Sequence, residues 1–303
     1  MSIPSEVPLE TVGPPAHSKY SIPWVPIAWL GALLFLCYLP ILQRLVSQWM
    51  NDEDMGHGFF VPLVSLFIIW QMREDLAKIP LTPNWWGLAL VAWGGAQAIL
   101  GTVGAELFIS RTAFLVSLVG ILLCVCGTKF VKALAFPLFL LVFMVPIPAI
   151  LYNQITFPLQ LLATRMAEVF LSVFGYPVLR EGNVLHLASQ SLNVVEACSG
   201  IRSLLSLTFI SLIYAHFFDN KPWMKIALLL CVIPIALFAN AMRVTLTGIV
   251  SEIDPTLAEG IFHSLEGLVL FALDLVALVA IHKLINKIYS RTQHAKAPVT
   301  VAS

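Results

Sequence analysis

The chain is short of charge. Only 11% of its 303 residues are Asp, Glu, Lys or Arg, against about 25% in a soluble domain. Polar residues this sparse cannot cover a water-soluble fold, so the solvent for most of the chain is lipid. An excess of either sign is also missing, because 17 basic and 17 acidic residues cancel. With no basic patch, nothing argues for nucleic acid as a partner. Cysteine is scarce: of Cys37, Cys124, Cys126, Cys198 and Cys231, four lie inside apolar runs, where a thiol behaves as a small hydrophobe and a disulfide framework is not expected. Cys124-Val-Cys126 has no histidine neighbour, and no other spacing suits a metal, so neither a metal nor another cofactor is expected. Repeats and low-complexity linkers are absent too. The N-terminus does not read as a cleavable signal: residues 1–22 are polar and Pro-rich, with Glu6 and Glu10, and no small-residue cleavage site follows.

What the chain does have is apolar length. Fifty-nine per cent of it (59%) is hydrophobic, and the mean hydropathy is +0.88. Eight runs approach the ~20 residues that span a bilayer: 24–45, 58–72, 85–103, 108–127, 131–151, 199–218, 223–248 and 262–284. The expected fold is an all-α polytopic membrane protein of about eight transmembrane helices. It divides into a disordered cytoplasmic tail (1–22), one integral-membrane domain (23–286) and a second cytoplasmic tail (287–303).

Short loops orient the spans. Arg73 and Lys78, Lys129 and Lys132, Lys221 and Lys225, and Lys283 with Lys287, Arg291 and Lys296 fall on one side. Asp52, Glu53 and Asp54, and Glu252, Asp254 and Glu259, fall on the other. The basic side is the cytoplasmic one, so both termini are cytoplasmic and the acidic loops face outward. Parity then requires 153–198 to stay outside. Within it, Gln160, Thr164, Arg165, Glu168 and Ser172 form a rough polar arc at helical spacing, which predicts an amphipathic helix on the outer surface. Tyr176–Arg180 and Val184–Leu187 flank Glu181-Gly182-Asn183, a turn signal, and predict a small β-hairpin that 192–196 continues. An ordered edge of this kind suits an extended peptide.

Three residues carry chemistry at that outer level. Cys198, in Glu196-Ala-Cys-Ser-Gly-Ile-Arg-Ser203, sits where the hairpin gives way to the sixth span. With Ser199 as helix N-cap and Gly200 permitting a tight turn, the helix start would favour a thiolate and offer N–H groups to an oxyanion. Arg243 lies about 20 residues, or ~30 Å, along the seventh span; a guanidinium there is costly unless it has a task. Asn240 shares its helical face. His263 opens the eighth span, with Glu266 one turn on to orient the ring, and can move a proton. Arg202 follows one turn after Cys198 and has Glu196 or Glu266 as expected partners. Asp274 lies nearer mid-membrane, where a neighbouring helix is expected to satisfy it. His57, Arg180 and His186 are further outer-side residues, read as candidates for contacting a peptide.

Taken together these residues resemble a known family. Glu196-Ala-Cys-Ser-Gly-Ile-Arg-Ser-Leu204, Asn240-x-x-Arg243, His263 with Gly267, Gly56-His-Gly-Phe-Phe-Val-Pro-Leu63 and Arg180-Glu-Gly-Asn183 are similar to motifs of the exosortase/archaeosortase family, over roughly residues 30–285. The resemblance implies a bacterial inner-membrane cysteine protease or transpeptidase. Its partner would be the C-terminal, PEP-CTERM-like sorting tail of exported proteins, cleaved through a thioester that an amine acceptor or water resolves. It also implies Cys198 as nucleophile, Arg243 as oxyanion or substrate stabiliser and His263 as proton-transfer group. The competing expectations are a transporter with an intramembrane polar path and a non-catalytic component of exopolysaccharide assembly.

Overall fold

The computed structural model describes residues 24–194, 200–254 and 261–296. Helices dominate. They are α1 (Trp24–Asn51), α2 (Phe60–Gln71), α3 (Arg73–Leu76), α4 (Trp86–Val103), α5 (Leu107–Val125), α6 (Thr128–Ala133), α7 (Ala135–Leu140), α8 (Ala149–Val173), α9 (Ile201–Phe218), α10 (Pro222–Ile253) and α11 (Ile261–Lys296). Short 3-10 helices cover Glu53–Phe59 and Leu141–Met144. Six of the helices (α1, α4, α5, α9, α10 and α11) are long and apolar enough to cross a membrane, and α7 with α8 makes a seventh if that bent pair counts as one span. The chain is a multi-pass membrane protein. Large exposed side chains such as Trp29, Phe67, Trp93 and Leu268 form its outer skin, as a lipid solvent requires.

Two of the eight expected spans differ from plain helices. The run 58–72 yields only the 12 residues of α2, because Asp52 caps a 3-10 turn ahead of it through Asp54 N–H. The run 131–151 is cut into α6, α7 and a 3-10 turn. Pro146 and Pro148 then stop the helix, since neither can donate to a ladder and each biases its predecessor to extended backbone. The chain re-enters helix as α8 at 83° to the preceding segment. A helix was expected over this stretch, and α8 covers it, but the polar arc is split. Gln160 and Thr164 are buried toward the bundle, whereas Arg165 and Ser172 are exposed.

Glycines set the closest helix pair. Gly87, Gly94 and Gly101 recur every seven residues on α4. An added Cβ would strike Cys124 and Gly120, Ser117, and Ser110 respectively, at 2.2–2.5 Å. Small residues at that repeat let α4 and α5 approach backbone to backbone.

A three-stranded antiparallel meander follows α8: β1 (Leu179–Glu181), β2 (Val184–His186) and β3 (Ser191–Asn193). The predicted turn stands at Gly182-Asn183, with Gly182 at φ +63° and Glu181 opposite Val184. The inward residues Leu185, Leu187 and Val194 bury against Ala167 and Leu171 of α8 and Val244 of α10. Arg180 Nε donates to Glu168 Oε2 at 2.9 Å, and Glu252 accepts from the Ser189 N–H and Oγ, so both neighbouring helices hold the sheet. The sheet, the last turns of α1 and α10 and the first turn of α9 form what we call the sheet end. The opposite, basic end carries Asp219, Lys221 and the last turns of α11.

Candidate functional site

The residues that follow Cys198 start the site. Glu196, Cys198 and Ser199 lie outside the described residues. Gly200 takes the N-cap position of α9, where Ser199 was expected, and no side chain caps it. Gly200 is in the left-handed region, at φ +70° and ψ −5°, and its carbonyl accepts the first α9 bond from Leu204 N–H at 2.9 Å. Glycine is required here on two counts. The φ disfavours other residues, and a Cβ would sit 2.9 Å from Asn240 Cγ. The turn two residues past the thiol therefore rests on the Asn240 side chain of α10.

Arg243 is one turn further along that same α10 face and only 9% exposed. Its guanidinium lies against α11 at Gly267, where an added Cβ would be 3.5 Å from Nη2. Glu266 is next in sequence and buried; its Oε2 accepts from Thr247 Oγ1 at 3.1 Å. The Arg243 charge is close enough to act on this carboxylate. Glu266 Oε1 has no hydrogen-bond partner among the described residues. The backbone of His263 belongs to α11, four residues and ~6 Å before Gly267 on the same face; its side chain lies outside the described residues. Three elements thus converge: the start of α9, the Asn240–Thr247 stretch of α10 and the first turns of α11.

Of the two partners expected for Arg202, Glu196 lies outside the described residues, and the described ion pair is not with Glu266. Arg202 Nε donates to Asp54 Oδ1 at 3.1 Å, and Tyr152 donates to the other Asp54 oxygen. The 3-10 turn after α1 is thereby tied to α9 and α8. That partner lies 148 positions away and no local spacing announces it.

His57, Arg180 and His186, the residues expected to contact a peptide, each have neighbours within the fold. His57 lies 3.2 Å from the Phe143 carbonyl through Nε2 and faces the Phe209 ring. Burial pushes its pKa down, partly offset by that carbonyl and by Asp54. Its neighbour Gly58 packs flush on the Trp49 indole, whose Nε1 donates to Met144 O at 2.9 Å. The Gly-His-Gly run is thus a packing joint between α1, α2 and the 141–144 turn. Arg180 is held by Glu168 and the Gly182 carbonyl. His186 lies on the sheet, with Nδ1 2.7 Å from Ser191 Oγ. None of the three makes a contact with Asn240 or Arg243 among the described interactions.

Asp274 departs from expectation. It is 4% exposed in α11, yet no hydrogen bond satisfies it among the described residues. Two features went unnoticed in the sequence. Arg111, buried near the start of α5, was hidden in an apolar run, although an arginine inside a span is a signal in itself. At the basic end, Tyr214, Asp219, His282 and Asn286 form one hydrogen-bonded group: Tyr214 OH lies 2.8 Å from His282 Nδ1, and His282 Nε2 lies 3.0 Å from Asp219 Oδ2. Among the described residues no cluster of His, Cys, Asp and Glu could hold a metal ion.

The architecture is that of a polytopic membrane protein in which polar residues of α10 and α11 gather beside the start of α9. The profile described as transmembrane exosortase (Exosortase_EpsH) matches residues 49–280, which is more than half of the chain. The chain belongs to the transmembrane exosortase family. No curated protein and no solved structure matches it. Membership implies, at a general level, substrate proteins that carry a sorting signal.

Proposed function

We propose that the chain is a cysteine protease or transpeptidase of the bacterial inner membrane that removes the C-terminal sorting tail of exported proteins. The observation that carries the reading is the packing of Gly200 on Asn240 and of Gly267 on Arg243. It draws the segment beside Cys198, the α10 arginine and the helix bearing His263 to one level. In this reading both termini are cytoplasmic and the sheet end is periplasmic, in line with the basic loops.

The substrate's own helix lies in the membrane beside the enzyme, and its PEP-CTERM-like motif reaches Cys198. The thiolate attacks the scissile carbonyl. The tetrahedral oxyanion is held by Arg243 and by backbone N–H groups at the start of α9. His263 gives a proton to the leaving amine as the C–N bond breaks, and a thioester remains. An amine acceptor or water then attacks the thioester and returns sulfur as thiolate. Glu266 orients His263 and Asn240 holds the turn after Cys198. A transporter would be expected to gather its polar groups where discontinuous helices meet, whereas α9, α10 and α11, which carry these residues, are each continuous.

The test is co-expression with a tailed substrate, with cleavage followed by mass. The Cys198→Ala variant should insert in the membrane and leave the tail intact. Normal processing by that variant would overturn the nucleophile assignment.

A further inference from the structure

We propose that the cleft between α1, α4 and α5 at the sheet end binds the anionic headgroup of a phospholipid through Arg44 and Arg111. The cleft has a volume of about 370 Å³, and its walls include Ile41, Ile99, Val103 and Leu107. No carboxylate lines it. Both arginines do, and neither forms an ion pair or a hydrogen bond among the described residues.

Arg111 is the informative one. It is 4% exposed, and its buried Nε finds no acceptor among the described residues. A guanidinium does not shed its proton in a protein, and a buried charge with no directly bonded counter-ion is unfavourable. The second cavity that touches Arg111 does contain Asp52, Asp54 and Glu106, and the Glu106 charge acts on Arg111 through space, but all three carboxylates have hydrogen-bond donors of their own. Asp52 accepts from Gln48 and from Asp54 N–H, Asp54 from Arg202 and Tyr152, and Glu106 from Phe108 N–H. None ion-pairs with Arg111 among the described residues.

Depth and shape select a lipid. Arg111 lies four residues, ~6 Å, into α5, and Arg44 seven residues, ~10 Å, before the end of α1. That is the boundary between headgroups and acyl chains, where basic side chains meet lipid phosphate. Arg44 is exposed. The apolar faces beside the cleft, including Leu33, Leu36, Trp93 and Leu100, are open to acyl chains. The close-packed α4–α5 hairpin makes the walls rigid, so the cleft exists before the lipid arrives.

The test uses the purified full-length protein in nanodiscs of phosphatidylcholine alone or with phosphatidylglycerol added. Phosphatidylglycerol should raise the apparent melting midpoint by about 2–4 °C, and native mass spectrometry should retain one such lipid. The Arg44→Gln variant, altered at an exposed position, should keep its midpoint in phosphatidylcholine and lose most of the rise. Arg111→Gln should lose it as well. Millimolar inorganic phosphate added to the phosphatidylcholine discs should give no rise. An equal midpoint for the wild type in both compositions, or a full rise in Arg44→Gln, would overturn the assignment. So would a rise with inorganic phosphate matching that with lipid. Slower tail cleavage by the double variant in phosphatidylcholine alone, with no lipid shift in the wild type, would give the arginines to a substrate carboxylate instead.

Discussion

The two ends of the bundle treat buried polar groups in opposite ways. At the basic end, Asp219 accepts from the Lys221 N–H at 2.7 Å and from Asn286 at 3.3 Å, and it meets His282, which meets Tyr214. Lys221 Nζ completes the group on Asn286 Oδ1 and lies over the Tyr289 ring. Burial works to raise the Asp219 pKa, but the hydrogen bonds of His282, Lys221 and Asn286 and the Lys221 charge carry it below the ordinary value. At the sheet end, His57 Nδ1, Arg111 Nε and Glu266 Oε1 are buried without a hydrogen-bond partner among the described residues. Satisfied networks rigidify, whereas orphaned polar atoms are destabilising and persist where they serve a ligand or a reaction. The basic end reads as a clamp between the α9–α10 turn and α11. The sheet end reads as the place where the protein spends stability on chemistry.

The contrast breaks most sharply at the proposed nucleophile. Cys198→Ala should lower tail cleavage by at least about 10³-fold, with the melting midpoint unchanged; comparable loss from a basic-end substitution would erase the distinction. Gly200→Ala comes next. Its φ and its contact with Asn240 together cost about 1–3 kcal/mol, so cleavage should fall about 10- to 100-fold as the turn shifts. Gly267→Ala is the control, because its new Cβ would meet Arg243 at ordinary contact distance; steady-state cleavage should stay near wild type. Asp219→Asn should do the reverse of Cys198→Ala. Loss of charge-assisted hydrogen bonds costs about 1.5–3 kcal/mol, lowering the melting midpoint while membrane-embedded enzyme cleaves at the normal rate.

The smallest effect is in pH. His57 has a folded pKa below the unfolded ~6.5. In the window between the two, the unfolded chain binds more protons, so stability falls as pH falls. Above ~6.5 the contribution is complete. Asp219, also depressed, keeps its contribution above the unfolded ~3.9 and loses it only as pH drops through its still lower folded value. Mild acid should therefore loosen the sheet end first. Melting midpoints of wild type and His57→Gln between neutral pH and pH 5 check this: the variant should show a flatter profile, and parallel profiles would sink the claim.

Much of this was legible in the sequence, for identifiable reasons. Lipid-facing residues obey composition alone, so α1, α4, α5, α9, α10 and α11 fall close to the expected runs. The Gly182-Asn183 turn is local chemistry and stood where it was expected. The cut through 131–151 was less visible, because Leu and Phe carry hydropathy across a break that Pro146 and Pro148 impose on the backbone. Arg202 meeting Asp54 and Asp219 meeting His282 are contacts between distant parts of the chain, set by how helices dock. The level shared by Asn240, Arg243 and the early turns of α11 was legible through charge parity, but the glycine contacts that bring the side chains together were not.

The right-angle corner at 145–148 has a further consequence. Across it the 25-residue α8 swings away from α7 by 83° and runs along α10, its later turns meeting the sheet at Ala167 and Leu171. Had that stretch run straight on, Ala167 and Leu171 would not lie under Leu185, Leu187 and Val194, and the sheet would lose its floor. Two prolines in a short linker thus act as a cornerstone, aiming the helix on which the small sheet is laid.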